Sequence, residues 1–362
     1  LKKRFSRPWL IALIFIGLAA LAIPMAIALA QSGPAVLCPP NCMVSFDMPS
    51  IFQPASYETA RIDELNRFIL VIAAIIFVLV EGMLFFAVFR FRNRPAEMAV
   101  QVHGNTKLEI AWTAAPAIIL AVLLGFTFKT MGEVKAVTSE NVMHVTAIGH
   151  QWFWEFRYPD LKITTANELV VPVNTVIEVS VESVDVEHGF WAPELFGKVD
   201  AVPGYTTRVR FTPDTVRADF FGGQCTQFCG TSHAQMRFAV SVRTAGDFQT
   251  WAAQFQQPAA PPETLSGGAL AGHDLFMAGS SQCVACHAVD GSPAGGQTGP
   301  NLTHIASRSF IAGGVLANTS ENLAAWIHNA PSFKPGTLMP NFADTFTPDQ
   351  VADLVAYLNT LK

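Results

Sequence analysis

Long unbroken apolar runs open the chain, and short alternating ones replace them further on. Residues 9–30, 67–89 and 110–128 are almost wholly apolar. About 20 such residues form a helix long enough to cross the hydrocarbon core of a bilayer. The second and third runs therefore predict a transmembrane hairpin, the third with little length to spare. Arg90, Arg92, Arg94 and Lys107 lie in the loop between them. Short loops rich in Lys and Arg stay in the cytoplasm, which places both the N-terminal segment and everything after Lys129 on the outer side. The first run follows Lys2, Lys3, Arg4 and Arg7 and ends in Ala28-Leu-Ala30, the pattern of a signal peptide. An uncleaved anchor helix is the competing reading, and either one exports the residues after it.

From about residue 141 to 243 the texture changes. Val142-Met-His-Val-Thr146, Val176-Ile-Glu-Val-Ser-Val181 and Thr207-Arg-Val-Arg-Phe211 alternate apolar with polar residues, and Pro159, Pro172, Pro203-Gly204 and Gly222-Gly223 punctuate them. Many short strands with close turn signals predict a β-sandwich. A short helix is expected around residues 248–255. Residues 254–268, rich in Gln, Ala, Pro and Gly, read as a flexible linker that would keep the next domain near its partner. Thr347-Pro-Asp-Gln-Val-Ala-Asp-Leu-Val-Ala-Tyr-Leu358 carries a cap and helical spacing.

Composition agrees with membrane segments: of 362 residues, 51% are hydrophobic and 14% charged, an unusual balance for a soluble protein. A net charge of −5 with no basic run beyond the first residues argues against nucleic acid as a partner. Cys38 and Cys42 would lie in an oxidising compartment, where a local disulfide is the default. Glu81 is a carboxylate inside a span, hence a functional or packing candidate.

Two motifs carry chemistry. In Cys225-Thr-Gln-Phe-Cys229-Gly-Thr-Ser-His233-Ala-Gln-Met236, two thiols, an imidazole and a thioether fall within one short stretch, with His188 as the upstream candidate. Soft sulfur with imidazole suits copper and not a hard cation; a surface disulfide is the alternative and leaves His and Met at these offsets without a purpose. Cys283-Val-Ala-Cys286-His287 is the C-x-x-C-H signature for covalent attachment of a c-type haem, with His287 as iron ligand.

With these motifs the chain resembles subunit II of a haem-copper cytochrome c oxidase of the caa type, and the first stretch resembles its binuclear copper (CuA) loop. Gly149-His-Gln-Trp-Phe-Trp-Glu-Phe156 and Asp200-Ala-Val-Pro-Gly204 extend the likeness. The resemblance implies bridging thiolates at Cys225 and Cys229, terminal imidazoles at His188 and His233, a weak thioether at Met236 and a backbone carbonyl donor at Gln227. It implies that Trp152 receives electrons above the copper site, with core packing as the bland alternative, which is favoured for Trp154. Asp185 matches a carboxylate that helps dock a basic cytochrome c. Glu109 matches a glutamate near the mouth of a proton path, and an interfacial carboxylate favoured by the helix dipole is the equal alternative. Thr298-Gly-Pro-Asn-Leu302 resembles the loop whose proline carbonyl, here Pro300, orients the haem histidine. Lys334-Pro-Gly-Thr-Leu-Met339-Pro340 resembles the loop of the axial methionine, ahead of His304 and His328 as sixth ligand. His103, His144 and His150 are taken as structural.

The expected architecture is a multi-domain membrane protein: a two-helix transmembrane hairpin, an all-β cupredoxin sandwich and an all-α class I cytochrome c domain. Its parts are a signal peptide at 1–30, an outer segment at 31–66, the hairpin at 67–130, the cupredoxin domain at 136–245, a short helix and linker at 246–268 and the haem domain at 269–362. The implied cofactors are binuclear copper and haem c. The implied partners are oxidase subunit I, other membrane subunits and a soluble donor, either cytochrome c or a small copper protein, at the outer face of a bacterial plasma membrane. The electron-receiving subunit of a nitric oxide reductase and a copper assembly factor are the rival readings. Gln227 stands where many relatives have a glutamate that also helps hold magnesium.

Overall fold

The computed structural model describes residues 50–92, 104–135 and 141–362. The proposed signal peptide, Cys38, Cys42, Arg94 and His103 lie outside these residues. Helix α1, Tyr57–Phe91, and helix α2, Thr106–Lys135, are both long and apolar enough to cross a membrane. They touch through Phe68 and Phe126, whose ring centroids are 4.8 Å apart. At 35 residues α1 is about 50 Å long, well beyond a bilayer core. It starts ahead of the apolar run at residue 67 because Ser56 and Thr59 close a capping box. That first turn is bound to the β-rich domain that follows: the Ser56 hydroxyl donates to Leu195 O at 2.7 Å, and the Glu58 carboxylate accepts from Thr212 N at 2.7 Å. The anchor and the sandwich thus meet through satisfied polar groups.

The sandwich comprises β1 (Val142–His150), β2 (Phe153–Tyr158), β3 (Ile163–Ala166), β4 (Glu168–Pro172), β5 (Val176–Ser183), β6 (His188–Trp191), β7 (Val199–Ala201), β8 (Thr207–Phe211), β9 (Phe221–Cys225) and β10 (Arg237–Arg243). One sheet runs β3-β2-β1-β5-β8 and the other β4-β10-β9-β6-β7. Their inner faces meet in an aromatic core, with Trp154 and Phe190 at 4.9 Å and Phe190 stacked on Phe238 at 4.6 Å. His188 opens β6, Cys225 ends β9, and Met236 precedes β10. Since β6 and β9 pair, as do β9 and β10, these three side chains fall at one end of one sheet.

Helix α3, Ala245–Phe255, buries Trp251 and Phe255, and Trp251 packs on Tyr158 at 5.2 Å. The stretch after it reads as a flexible linker, and the chain bonds the C-terminal domain on either side of its start. Phe255 O lies 3.1 Å from His304 Nε2, and Ala259 N donates to Asp290 O at 3.0 Å. Backbone contacts of this kind leave no trace in composition.

The C-terminal domain holds α4 (Gly267–Met277), α5 (Cys283–Cys286), α6 (Ser320–Phe333) and α7 (Pro348–Leu358), with a small hairpin of β11 (Phe310–Ile311) and β12 (Leu316–Ala317). α4 and α7 cross so closely at Gly272 that a Cβ there would lie 1.9 Å from Asp353 O. The domain sits on the sandwich: Glu168 accepts from Ser309 N at 2.6 Å and from Phe310 N at 3.1 Å.

Candidate metal and haem centres

Two sulfurs face each other at the end of the second sheet. Cys225 Sγ and Cys229 Sγ are 3.6 Å apart, against about 2.05 Å for a disulfide. His188 Nδ1 lies 3.9 Å from Cys225 Sγ, His233 Nδ1 3.5 Å from Cys229 Sγ, and Met236 Sδ 3.9 Å from Cys229 Sγ. Gln227 O lies 3.2 Å from Cys225 Sγ. His188, Cys225, Cys229 and Met236 are buried. The sulfurs form the middle of the set and the imidazoles its ends. Soft donors converging from strand ends and a short loop fit copper, and no donor is left facing away.

The hydrogen bond between the two thiols lowers the pKa of Cys225 and raises that of Cys229. Cys225 is held below the ordinary thiol value, chiefly by its hydrogen bond with Cys229; burial opposes this and His188 assists. Burial alone would lower His188, yet its hydrogen bonds with Asp185 and Cys225 raise it above the ordinary value. Asp185 Oδ1 lies 2.8 Å from His188 Nε2, and Asp185 Oδ2 accepts from Gln151 N at 2.7 Å. The resemblance implies a docking role for this carboxylate; in the fold Asp185 is exposed and both of its oxygens also accept from neighbours. With Nε2–H given to Asp185, Nδ1 is the free nitrogen, and it is the one facing sulfur.

Trp152 lies just ahead of β2 and is nearly buried, and its Nε1 donates to Cys229 O at 3.0 Å. Trp154 is fully buried in the aromatic core. His150 stacks on Phe153 at 4.3 Å, and His144 lies 3.6 Å from Glu178. Gln227 Oε1 lies 3.4 Å from Lys198 Nζ. Glu109 accepts from Asn105 N at 3.2 Å at the start of α2.

In the C-terminal domain, His287 Nδ1 lies 2.8 Å from Pro300 O. The carbonyl can only accept, so Nδ1 carries the proton and Nε2 is left for a metal. Burial lowers the His287 pKa and keeps the ring neutral, as a ligand must be. Cys283 and Cys286 span the single turn of α5 and are partly exposed. Met339 is partly buried in the loop after α6. Both nitrogens of His304 face backbone carbonyls, Lys362 O at 2.9 Å and Phe255 O at 3.1 Å, which assigns that ring to packing. His328 is exposed.

Three family models match in sequence order. The transmembrane domain of cytochrome c oxidase subunit II matches residues 45–130, its periplasmic domain residues 161–243, and cytochrome c residues 269–362. A cytochrome c oxidase subunit 2 of Alkalihalophilus pseudofirmus is 34% identical over 81% of this chain and 85% of its own. The chain belongs to the cytochrome c oxidase subunit II family. A subunit 2 of Bacillus sp. strain PS3 is 35% identical over 75% of this chain and 80% of its own. Among solved structures, the periplasmic domain of subunit II from Bradyrhizobium japonicum is 32% identical, with a TM-score of 0.31, covering 33% of this chain and 97% of that one. The chain is thus an oxidase subunit with a cytochrome c domain behind the periplasmic one, and the family domains suggest copper and haem.

Two residues escaped sequence reasoning in the roles the fold gives them. Asp185 stands three residues before His188, a spacing that lets a turn bring the two together. Lys334 was visible only as the first residue of the Met339 loop, and nothing local marks it as buried.

Proposed function

We propose that this chain carries single electrons from a soluble donor, through a haem c held by residues 269–362, to a binuclear copper centre and on to subunit I of the oxidase. The observation that carries the reading is the sulfur pair at 3.6 Å with an imidazole nitrogen beside each sulfur. When bound, the copper pair and the haem supply one-electron carriers. Cys225 and Cys229 would bridge the coppers, His188 and His233 would end the set, and Met236 Sδ and Gln227 O would be weak donors. Asp185 holds the His188 ring in its tautomer. Ligands fixed on strand ends change little between oxidation states, which favours electron transfer over bond chemistry.

Cys283 and Cys286 would take the haem vinyls, His287 and Met339 would hold the iron, and Pro300 would orient His287. His/Met ligation raises the haem potential, as a donor to copper needs. Trp152 would receive electrons for the copper loop through its bond to Cys229 O. The basic loop between α1 and α2 favours a two-span topology with the sandwich on the outer face. The exposed apolar sides of both helices suit contacts with lipid and with other oxidase subunits. Glu109 at the cytoplasmic end of α2 would lie near the proton path of subunit I.

Metal and haem analysis of the purified full-length chain tests the reading. Two coppers with a mixed-valence EPR signal, and one covalent haem, are expected; a single copper with an ordinary mononuclear spectrum would overturn it.

A further inference from the structure

Lys334 is 3% exposed, although it lies in the loop between α6 and α7, where a lysine ordinarily reaches water. Its ammonium donates to Trp152 O and, at 3.1 Å, to Ala312 O. One acceptor belongs to the sandwich and the other to the C-terminal domain. Burying a cation is costly unless its donors are satisfied, and this one finds its partners only where the two domains meet.

The contacts around it form a continuous seam. Ser232 Oγ donates to Pro335 O at 2.5 Å, Gln235 Nε2 to Phe333 O at 3.1 Å, and Arg237 N to Gly313 O at 3.1 Å. Gly336 comes so near the indole that a Cβ there would lie 2.9 Å from Trp152 Cη2. The stretch leading to Met339 therefore closes over one edge of Trp152, while the indole Nε1 bonds Cys229 O. Only 8% of Trp152 is exposed.

We propose that Lys334 is a positioning residue that clasps the C-terminal domain onto Trp152, so that the indole joins the Met339 loop to the copper loop and is closed to any separate protein. The inference rests on the electron-transfer reading above. A soluble donor must then dock on the C-terminal domain and not at Trp152. The seam suits a lysine: its ammonium ends against Gly313, where a Cβ would lie 2.4 Å from Nζ, and serves carbonyls on both sides.

The test uses the full-length protein with Lys334→Met and Lys334→Gln. Copper and haem content report whether each domain is intact, and both should match wild type. Hydrogen exchange at the Arg237 amide should rise about tenfold in Lys334→Met, because two carbonyls lose their buried donor and the seam opens locally. Photoreduced haem should pass its electron to copper more slowly in Lys334→Met, with Lys334→Gln intermediate because its amide still donates. Unchanged exchange and transfer in Lys334→Met would overturn the clasp while leaving the electron-transfer reading intact; a wild-type chain without copper or haem would overturn that reading instead. If Lys334→Met loses copper or haem, Lys334→Gln decides by the same two measurements. If both variants lose them, Lys334 serves folding and the clasp is wrong.

Discussion

Asp185 accepts the Nε2–H of His188 at 2.8 Å, and so determines which nitrogen His188 turns toward the sulfur pair. Removing an orienting carboxylate of this kind costs about 10- to 100-fold in metal affinity. Asp185→Ala should therefore weaken copper binding by that factor in a titration against a competing chelator, with haem content unchanged. Equal affinity in the variant would show that packing alone orients the ring.

Met339 lies in the loop that docks on Trp152, and its thioether is the expected sixth ligand of the haem. Met339→Ala should lower the haem potential by a sizeable part of the ~0.8 V that axial ligands span. Potentiometric titration of the visible haem bands reads this. An unaltered potential and spin state would assign the position to another residue.

Gln227 offers a neutral side chain where a charged oxygen would favour magnesium, and the Lys198 ammonium lies 3.4 Å from its Oε1. Magnesium prefers anionic oxygen in an octahedral shell, and a neighbouring cation disfavours it further. Copper ligation through Gln227 O should survive any side-chain change. Oxidase from cells grown with excess manganese should show little bound-manganese EPR signal; a stoichiometric signal that persists in Gln227→Ala would contradict this.

Glu168 accepts from two backbone amides across the domain seam, yet burial outweighs them and pushes it up to about 7. A carboxyl raised on folding binds its proton more tightly in the folded chain. Its contribution is complete below about 4.5, the ordinary value, and is lost as pH rises to about 7. Lys334, pushed by burial down to about 7, acts only above that pH and with the opposite sign. Between pH 4.5 and 7, Glu168→Gln should remove a destabilising slope worth on the order of 3 kcal/mol. Calorimetric unfolding of wild type and variant at a series of pH values measures it; identical slopes would refute the assignment.

Local pattern carried much of this protein. Apolar run lengths marked α1 and α2, alternation marked the strands, and the stretches from Cys225 to Met236 and from Cys283 to His287 displayed their donors in sequence. Glu58 and Ser56 did not show that α1 begins on the sandwich, since their partners Thr212 and Leu195 are remote in sequence. Trp152 could be singled out by its motif, but Lys334, whose ammonium bonds its backbone carbonyl, is 182 positions away. A buried ammonium cannot be told from a surface one until the chain has folded. The same holds for residues 254–268, whose composition reads as linker and does not show that Phe255 and Ala259 bond the C-terminal domain.

The central claim is that Cys225 and Cys229 share two coppers, and EPR of Cys225→Ser and Cys229→Ser in the full-length chain tests it most directly. Each variant should lose the mixed-valence copper signal while the haem stays attached to Cys283 and Cys286 and remains reducible. An unchanged copper signal in either variant would contradict the account.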